Sequence, residues 1–172
     1  ASCYDLMMEK KEINDLIQPT QDHFDIITTK QLLTAAEIQL SQLNKREFRL
    51  KIALEQLKTH YDFVIIDCPP SLNLLTVNAL VAANSVIIPV QCEYYALEGL
   101  TRLMRTIQQL KNSVNPDLKV EGILRTMYDS RNRLCRDVSE QLTHYFGEQV
   151  YNTIIPRNVK LAEAPSHRKV AL

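Results

Sequence analysis

One carboxylate stands at the end of an apolar run, where metal chemistry is one of the roles open to it. Asp67 follows the run over residues 63–66 and precedes Pro69 and Pro70. A carboxylate in such a position is costly to desolvate unless a divalent cation or its bound water offsets the charge. Two other interpretations of Asp67 stay open on spacing alone: it caps the helix predicted after Pro70, or it remains solvated.

Two clusters of basic residues lie near predicted strand ends, where they could share one face and contact phosphates. The alternative is an ordinary solvated surface, because acidic residues such as Asp129 and Asp137 are interspersed with them. The total charge does not decide between the two, since 20 Lys+Arg balance 20 Asp+Glu. The first cluster is Arg125, Arg131, Arg133 and Arg136, and the second is Arg157, Lys160, Arg168 and Lys169.

Glycine usage bears on phosphate binding, because a loop of the G-x-x-x-x-G-K-[ST] type needs a Gly-Lys pair. The sequence has 3 glycines, and the residues after them are Leu100, Ile123 and Glu148. Residues 1–172 therefore contain neither this phosphate loop nor a G-x-G-x-x-G motif.

Length and composition indicate one globular domain over residues 1–172. The 172 residues are 45% hydrophobic and 23% charged, which excludes a disordered tail, a collagen-like repeat and a disulfide-dense miniprotein. The 4 cysteines form no C-x-x-C pair, which argues against a zinc site, and no histidine signature supports a Cys-His nucleophile. Scattered cysteines suit a reducing cytoplasm, and no apolar run reaches about 18 residues, so we predict a soluble cytoplasmic protein with no membrane partner.

Strand-like and helix-like segments alternate along the chain, which favours an α/β domain with a mostly parallel sheet flanked by helices. The apolar runs at 63–67 and 85–90 are typical of strands buried on both faces. Ligands of such sheets bind outside the carboxyl ends of the strands, where Asp67 and the basic clusters lie. Ser71 is the expected N-cap of one helix and Gly147 the expected C-cap of another. The predicted strands are 23–29, 63–67, 85–90, 120–127 and 151–156, and the predicted helices are 30–44, 46–59, 71–83, 95–112 and 132–146.

Several long strings of residues resemble the ParA/Soj family of partition ATPases. The match runs from about residue 4 to about residue 168, and the first string corresponds to the family's Walker B and switch II region. The strings are YDFVIIDCPPS at 61–71, LLTVNAL at 74–80, IPVQCEYYALEGL at 88–100, RTMYD at 125–129 and IIPRNVKLAEAPSH at 154–167.

The resemblance implies a P-loop NTPase-like fold with three layers, α/β/α, and a protein switched by ATP and Mg²⁺. Such proteins form a homodimer around two nucleotides, bind DNA without sequence preference, and are therefore expected in the cytoplasm on the nucleoid. A ParB-type centromere-binding protein stimulates their ATP hydrolysis and releases them from DNA.

Matching motif positions assign roles to individual residues under this resemblance. Asp67 corresponds to the catalytic Walker B acid that holds the water shell of Mg²⁺. The remaining cofactor contacts are Pro69 and Pro70 in the γ-phosphate switch, and Met127, Pro156 and Arg157 around the base. Arg131 and Lys160 fall where the family places basic residues against DNA phosphates.

The sequence also departs from the family pattern. The family's phosphate loop, with its neighbouring strands, and its C-terminal helices have no counterpart in residues 1–172, so the expected fold is N-terminally incomplete. We therefore expect this chain alone neither to bind ATP tightly nor to hydrolyse it. An alternative function is a non-catalytic DNA-tethering or regulatory module of the same fold. A third is a division-site ATPase, but the amphipathic C-terminal helix typical of that branch does not appear before Leu172.

Overall fold

The computed structural model describes residues 3–20, 24–29, 33–57, 61–69 and 71–164. It divides into two compact units. The first unit comprises Ala1–Asn84 together with Asn112–Pro116, and the second comprises Ser85–Lys111 together with Asp117–Leu172.

The first unit is mainly helical. Its helices are α1 (Cys3–Met7), α2 (Leu33–Ser41), α3 (Arg49–Leu54) and α4 (Leu74–Ala82), with 3₁₀ turns at Ile13–Asp15 and Glu55–Leu57. Strands β1 (Gln18–Pro19) and β2 (Asp25–Ile26) form a short antiparallel pair. The predicted strand 23–29 is thus reduced to two residues, while His23 lies outside the described residues. The core of this unit contains Leu6, Ile13, Leu16, Leu50, Leu57 and Ala79.

Helix α4 is fastened to its surroundings by buried asparagines. Asn78 is 0% exposed; its Oδ1 accepts from the Leu50 amide at 3.2 Å, and its Nδ2 donates to the carbonyls of Arg46 at 2.8 Å and Leu74 at 2.9 Å. Near the other end of α4, the Asn115 amide donates to the carbonyls of Leu80 and Ala83, each at 2.9 Å. The bonds to the Leu50 amide and to the carbonyls of Leu80 and Ala83 satisfy backbone groups that helix ends otherwise leave unpaired.

The segment at 63–67 is not the doubly buried strand that its apolar run predicts. No described strand pairs with it, and Phe63 and Ile65 are 87% and 92% exposed. Val64 is 50% exposed as well, whereas Ile66 and the preceding Tyr61 pack against the core of the first unit. The prediction fails because an apolar run specifies burial only where neighbouring backbone and a covering layer are present.

The second unit contains a parallel sheet in the order β3–β4–β5 within the described residues. The strands are β3 (Ser85–Gln91), β4 (Lys119–Tyr128) and β5 (Val150–Pro156). Helix α5 (Ala96–Ser113) connects β3 to β4, α6 (Arg133–Phe146) with a 3₁₀ turn at Gly147–Gln149 connects β4 to β5, and α7 (Val159–Glu163) follows β5. This arrangement confirms the predicted α/β class and parallel pairing.

Helix ends and faces in the second unit agree only partly with the sequence pattern. Gly147 ends α6 with φ 52°, as predicted. The spacing of Leu134, Val138, Leu142 and Tyr145 predicts one apolar stripe on α6. Val138 and Leu142 are buried, but Leu134 and Tyr145 are 45% and 71% exposed, and Cys135 is buried instead. Strand β3 alternates as well, with Ile88 and Val90 buried and Ile87 54% exposed, so it is not covered on both faces.

No helix in the described part of the chain is both long enough and apolar enough to span a bilayer.

We predict that Asn78→Ala lowers the free energy of unfolding by about 2–3 kcal/mol, because it removes the side-chain partner of the Leu50 amide and of the Arg46 carbonyl. Urea unfolding followed by circular dichroism measures the change. Asn152→Ala, at an exposed position of β5, is the matched control and should have little effect. Equal stability of the two variants would contradict the role given to Asn78.

Candidate functional site

Asp67 lies on an exposed stretch of the first unit, before helix α4. Its carboxylate does not cap that helix: the side chain of Asn73 accepts from the Thr76 amide at 3.0 Å, and Glu37 accepts from the Leu74 amide at 3.3 Å. The capping interpretation of Asp67 is therefore wrong, and so is Ser71 as the N-cap. The Ser71 carbonyl accepts instead from the Thr76 hydroxyl at 2.6 Å.

Residues before Asp67 anchor its segment to the core of the first unit. Ile66 packs on the core of the first unit, and Tyr61 packs on the same core while its hydroxyl donates to Asp25 at 2.5 Å. This hydrogen bond to Asp25 raises the pKa of Tyr61. No described hydrogen bond or ion pair holds the Asp67 carboxylate, so its oxygens face solvent. Of the two predicted switch prolines, Pro69 is exposed and Pro70 lies outside the described residues.

The end of the parallel sheet brings together three of the predicted site residues. Tyr128 is paired with Pro156, and the Arg157 amide donates to the Tyr128 carbonyl at 2.9 Å. Met127 directly precedes Tyr128, so Met127, Pro156 and Arg157 occupy neighbouring positions at the carboxyl edge of β4 and β5. These residues belong to the second unit, whereas Asp67 belongs to the first.

Met127 lies at an irregularity that the sequence did not signal. Between Arg125 and Tyr128, β4 advances three residues while β5 advances two, from Ile154 to Pro156. Met127 takes the extra position with φ 51°, in the left-handed region that residues other than glycine rarely occupy. Irregularities of this kind redirect a side chain and cluster at functional sites, and the Met127 side chain is 42% exposed.

Asp129, directly after β4, binds Arg131 through several atoms. Its Oδ1 accepts from the Arg131 backbone amide and from Nε, each at 3.0 Å, and its Oδ2 accepts from Nη2 at 2.9 Å. These hydrogen bonds lower the pKa of Asp129 to about 2, and the charge of the nearby Arg157 adds to the effect. The Arg131 side chain remains 89% exposed, so its outer edge is open to solvent.

The rest of the first basic cluster is partly internal. Arg125 is not a surface cation, because Nη1 donates to the Ser139 hydroxyl at 2.9 Å and Nη2 to the Tyr151 carbonyl at 2.8 Å. It fastens α6 to β5, and its inclusion among phosphate-contacting residues is wrong. Arg133 lies 3.7 Å from Asp137, and Arg136 donates to the Ser130 carbonyl at 3.1 Å.

The second basic cluster is represented by two described residues. Lys160 is exposed in the first turn of α7, where its amide donates to the Asn158 side chain at 2.8 Å. Arg157 lies at the end of the sheet as described above. Arg168 and Lys169 lie outside the described residues.

The cysteines of the described chain show no sign of nucleophilic activation. Burial raises the pKa of Cys3 and raises that of Cys92 to about 11, and desolvation together with the neighbouring Asp67 raises that of Cys68. A nucleophile needs the opposite shift. No group of three or more His, Cys, Asp or Glu with metal-binding geometry occurs among the described residues.

A cavity of about 600 Å³ opens in the first unit, and none of the predicted site residues lines it. Charges of both signs line it, including Glu9, Lys10, Lys11 and Arg49. Arg49 is already engaged by Glu9 and by the Asn44 carbonyl. This mixture favours no ligand class.

Chemically, the described groups fit two kinds of contact. The solvent-facing carboxylate of Asp67 can bind a hydrated divalent cation, since Mg²⁺ keeps several of its waters and needs few protein oxygens. The apolar atoms of Met127 and Pro156, beside a guanidinium, can flank a flat heteroaromatic ring.

Comparison with known proteins identifies close relatives. A family model described as an AAA domain matches residues 1–120. The sporulation initiation inhibitor protein Soj of Bacillus subtilis is 51% identical over 96% of this chain and 66% of its own length. The chromosome partitioning protein ParA of Myxococcus xanthus is 50% identical over 96% of this chain and 59% of its own length. The chain thus spans less than two thirds of the length of these curated relatives.

A solved structure extends the likeness to the fold. Cobyrinic acid a,c-diamide synthase from Mycobacterium smegmatis, with bound ATP analog and magnesium, is similar with a TM-score of 0.86 at 35% identity. The alignment covers 98% of this chain and 72% of that one.

We predict that Arg131→Ala raises the pKa of Asp129 from about 2 toward its ordinary value of 3.8. Because the folded-state pKa lies below the ordinary one, the contact stabilises the folded chain above about pH 4 and is lost as pH falls toward 2. Carboxyl NMR titration measures the shift. Arg133→Ala, which removes the neighbouring exposed arginine, should leave Asp129 unchanged; titration of Asp129 near 3.8 in the unsubstituted chain would contradict the contact.

Proposed function

The chain belongs to the ParA/Soj family of partition ATPases and has the α/β fold of P-loop ATPases, and from this premise we propose that it serves chromosome or plasmid partitioning as an ATP-switched, DNA-binding protein. In this proposal an ATP-dependent homodimer binds DNA without sequence preference, and a ParB-type centromere-binding protein stimulates hydrolysis, both with the help of a phosphate loop that residues 1–172 do not contain. Such a protein works in the cytoplasm on the nucleoid.

The observation that carries the proposal is the position of Asp67. It follows a segment anchored by Ile66 and precedes a proline-containing loop that leads into the firmly held helix α4. Asp67 therefore has an anchored residue on one side and a loop leading to α4 on the other. This arrangement suits a carboxylate that senses a metal-bound phosphate. The exposed oxygens of Asp67 would hold Mg²⁺ through its waters, with Pro69 and Pro70 stiffening the loop.

Bound Mg²⁺ neutralises charge on the phosphates of ATP, and phosphoryl transfer depends mostly on such placement and neutralisation. The residues of this chain supply the carboxylate that orients the ion and the surfaces that orient the nucleotide. Met127, Pro156 and Arg157 would contact the base at the carboxyl edge of β4 and β5. The likeness to a structure that holds an ATP analog and magnesium supports both assignments.

Arg131 and Lys160 are the proposed contacts to DNA phosphates. Both are exposed, and both follow strands of the second unit, one in the loop after β4 and the other in α7 after β5. Lysine and arginine on such loops bind phosphates without reading sequence, which is what a non-specific DNA contact requires.

We predict that Asp67→Asn weakens Mn²⁺–ATP binding to the chain by about tenfold, because it removes the charge that orients the metal waters. The electron paramagnetic resonance signal of free Mn²⁺, titrated with ATP present, measures binding even when it is weak. Asp62→Asn is the matched control, since Asp62 is an exposed carboxylate of the same segment. Equal loss in both variants, or none in Asp67→Asn, would contradict the assignment.

DNA binding separates this function from a non-catalytic DNA-tethering module. We predict that the affinity for a duplex of arbitrary sequence rises when Mg²⁺–ATP is added, because dimers present two copies of the basic residues. Fluorescence anisotropy with and without nucleotide measures this difference. Salt-sensitive binding that ignores ATP would favour the tethering module instead.

A further inference from the structure

The loop after β4 and the first turns of α6 carry two arginine–aspartate pairs. Arg131 is bound by Asp129, and Arg133 lies near Asp137 on the next turn of α6. The two pairs differ in quality. Asp129 makes three hydrogen bonds of 2.9–3.0 Å to Arg131, whereas Asp137 and Arg133 are 3.7 Å apart with 54% and 87% of their side chains exposed.

The hydrogen bonds of Asp129 occupy one edge of the guanidinium of Arg131. Nε and Nη2 both point to the carboxylate, which is the geometry of a two-bond arginine–carboxylate pair. Among the described residues, the second N–H of Nη2 and both N–H groups of Nη1 have no hydrogen-bond partner, so they can bind an outside ligand. A phosphate approaching Arg131 therefore meets a fixed outer edge, and it meets the negative charge of Asp129 behind that edge.

This arrangement has a cost for phosphate binding. Non-specific DNA affinity comes from neutralising phosphates with cations, and each neutralised phosphate contributes separately. A cation whose charge is already balanced at hydrogen-bond distance contributes less than a free one. Because Asp129 is 28% exposed and held by backbone as well as side-chain donors, it does not move aside easily.

We propose that Asp129 is a positioning residue that restrains the DNA contact of Arg131, holding the guanidinium in place while offsetting its charge. The inference rests on the proposed function of Arg131 and adds a limit to it. A single copy of the chain then binds DNA weakly, and useful affinity needs several copies acting together, so that each copy can also leave DNA readily.

The test compares two substitutions that change the net charge by the same amount. Asp129→Asn keeps an oxygen acceptor for the Arg131 amide and removes the charge, and Asp137→Asn removes the charge of the weaker pair. We expect Asp129→Asn to tighten binding to a non-specific duplex about fivefold at low salt, and to steepen the slope of log affinity against log salt by about 0.9, as one further phosphate contact would. Asp137→Asn should change affinity less than about twofold, as measured by fluorescence anisotropy across a salt series.

Arg131→Ala separates this inference from the proposed DNA contact. If Asp129 acts through Arg131, Asp129→Asn should add no more than Asp137→Asn does once Arg131 is alanine. Binding that Arg131→Ala leaves unchanged overturns the proposed DNA contact. If Arg131→Ala weakens DNA binding but Asp129→Asn does not strengthen it, the restraint by Asp129 is overturned while the DNA contact of Arg131 stands. Equal gains in affinity from Asp129→Asn and Asp137→Asn would overturn the restraint in the same way. Thermal melting of each variant confirms that the folded state is retained.

Discussion

Backbone pairing of β4 on both of its edges is the constraint on which the second unit depends. Parallel strands deliver their carboxyl ends to one edge of a sheet, so β4 sets where Met127 and Asp129 lie and β5 brings Pro156 and Arg157 beside them. The extra residue on β4 gives Met127 its left-handed backbone. The register of β4 and β5 therefore determines the positions of the candidate nucleotide-binding residues.

Arginines of the second unit have specific partners that the zero net charge of the whole chain does not reveal. Arg125 makes hydrogen bonds that join α6 to β5, whereas Arg131 lies at the surface and is bound by Asp129. Two arginines six residues apart thus have different surroundings, because Arg125 lies within β4 and Arg131 in the loop after it. The proposed DNA contact of Arg131 is expected to be weak, since an exposed cation that already has an ion-pair partner contributes little.

Much of the fold could be predicted from the sequence, because β3, β4, β5 and the helices between them follow apolar periodicity and the glycine at position 147. What could not be predicted depends on long-range context. The run at 63–67 signals a strand, but pairing requires a neighbour that the run does not specify. Position 127 is a methionine, so the sequence does not mark its positive φ as a glycine would. Asn73 and Ser71 are equally good caps by residue type. The Asp129–Arg131 contact lies in a D-x-R spacing that is common in turns. The strings of family residues identified Met127, Pro156 and Arg157 as a group; the structure adds the strand register that joins them.

The assignment of the carboxyl edge of β4 and β5 as a surface for an adenine nucleotide is tested by amide chemical shifts recorded during titration with ATP. The largest shifts are expected at Met127, Tyr128 and Arg157, whatever the strength of binding. Shifts confined to the cavity lined by Glu9, Lys10 and Arg49, or spread evenly over exposed lysines and arginines, would contradict it.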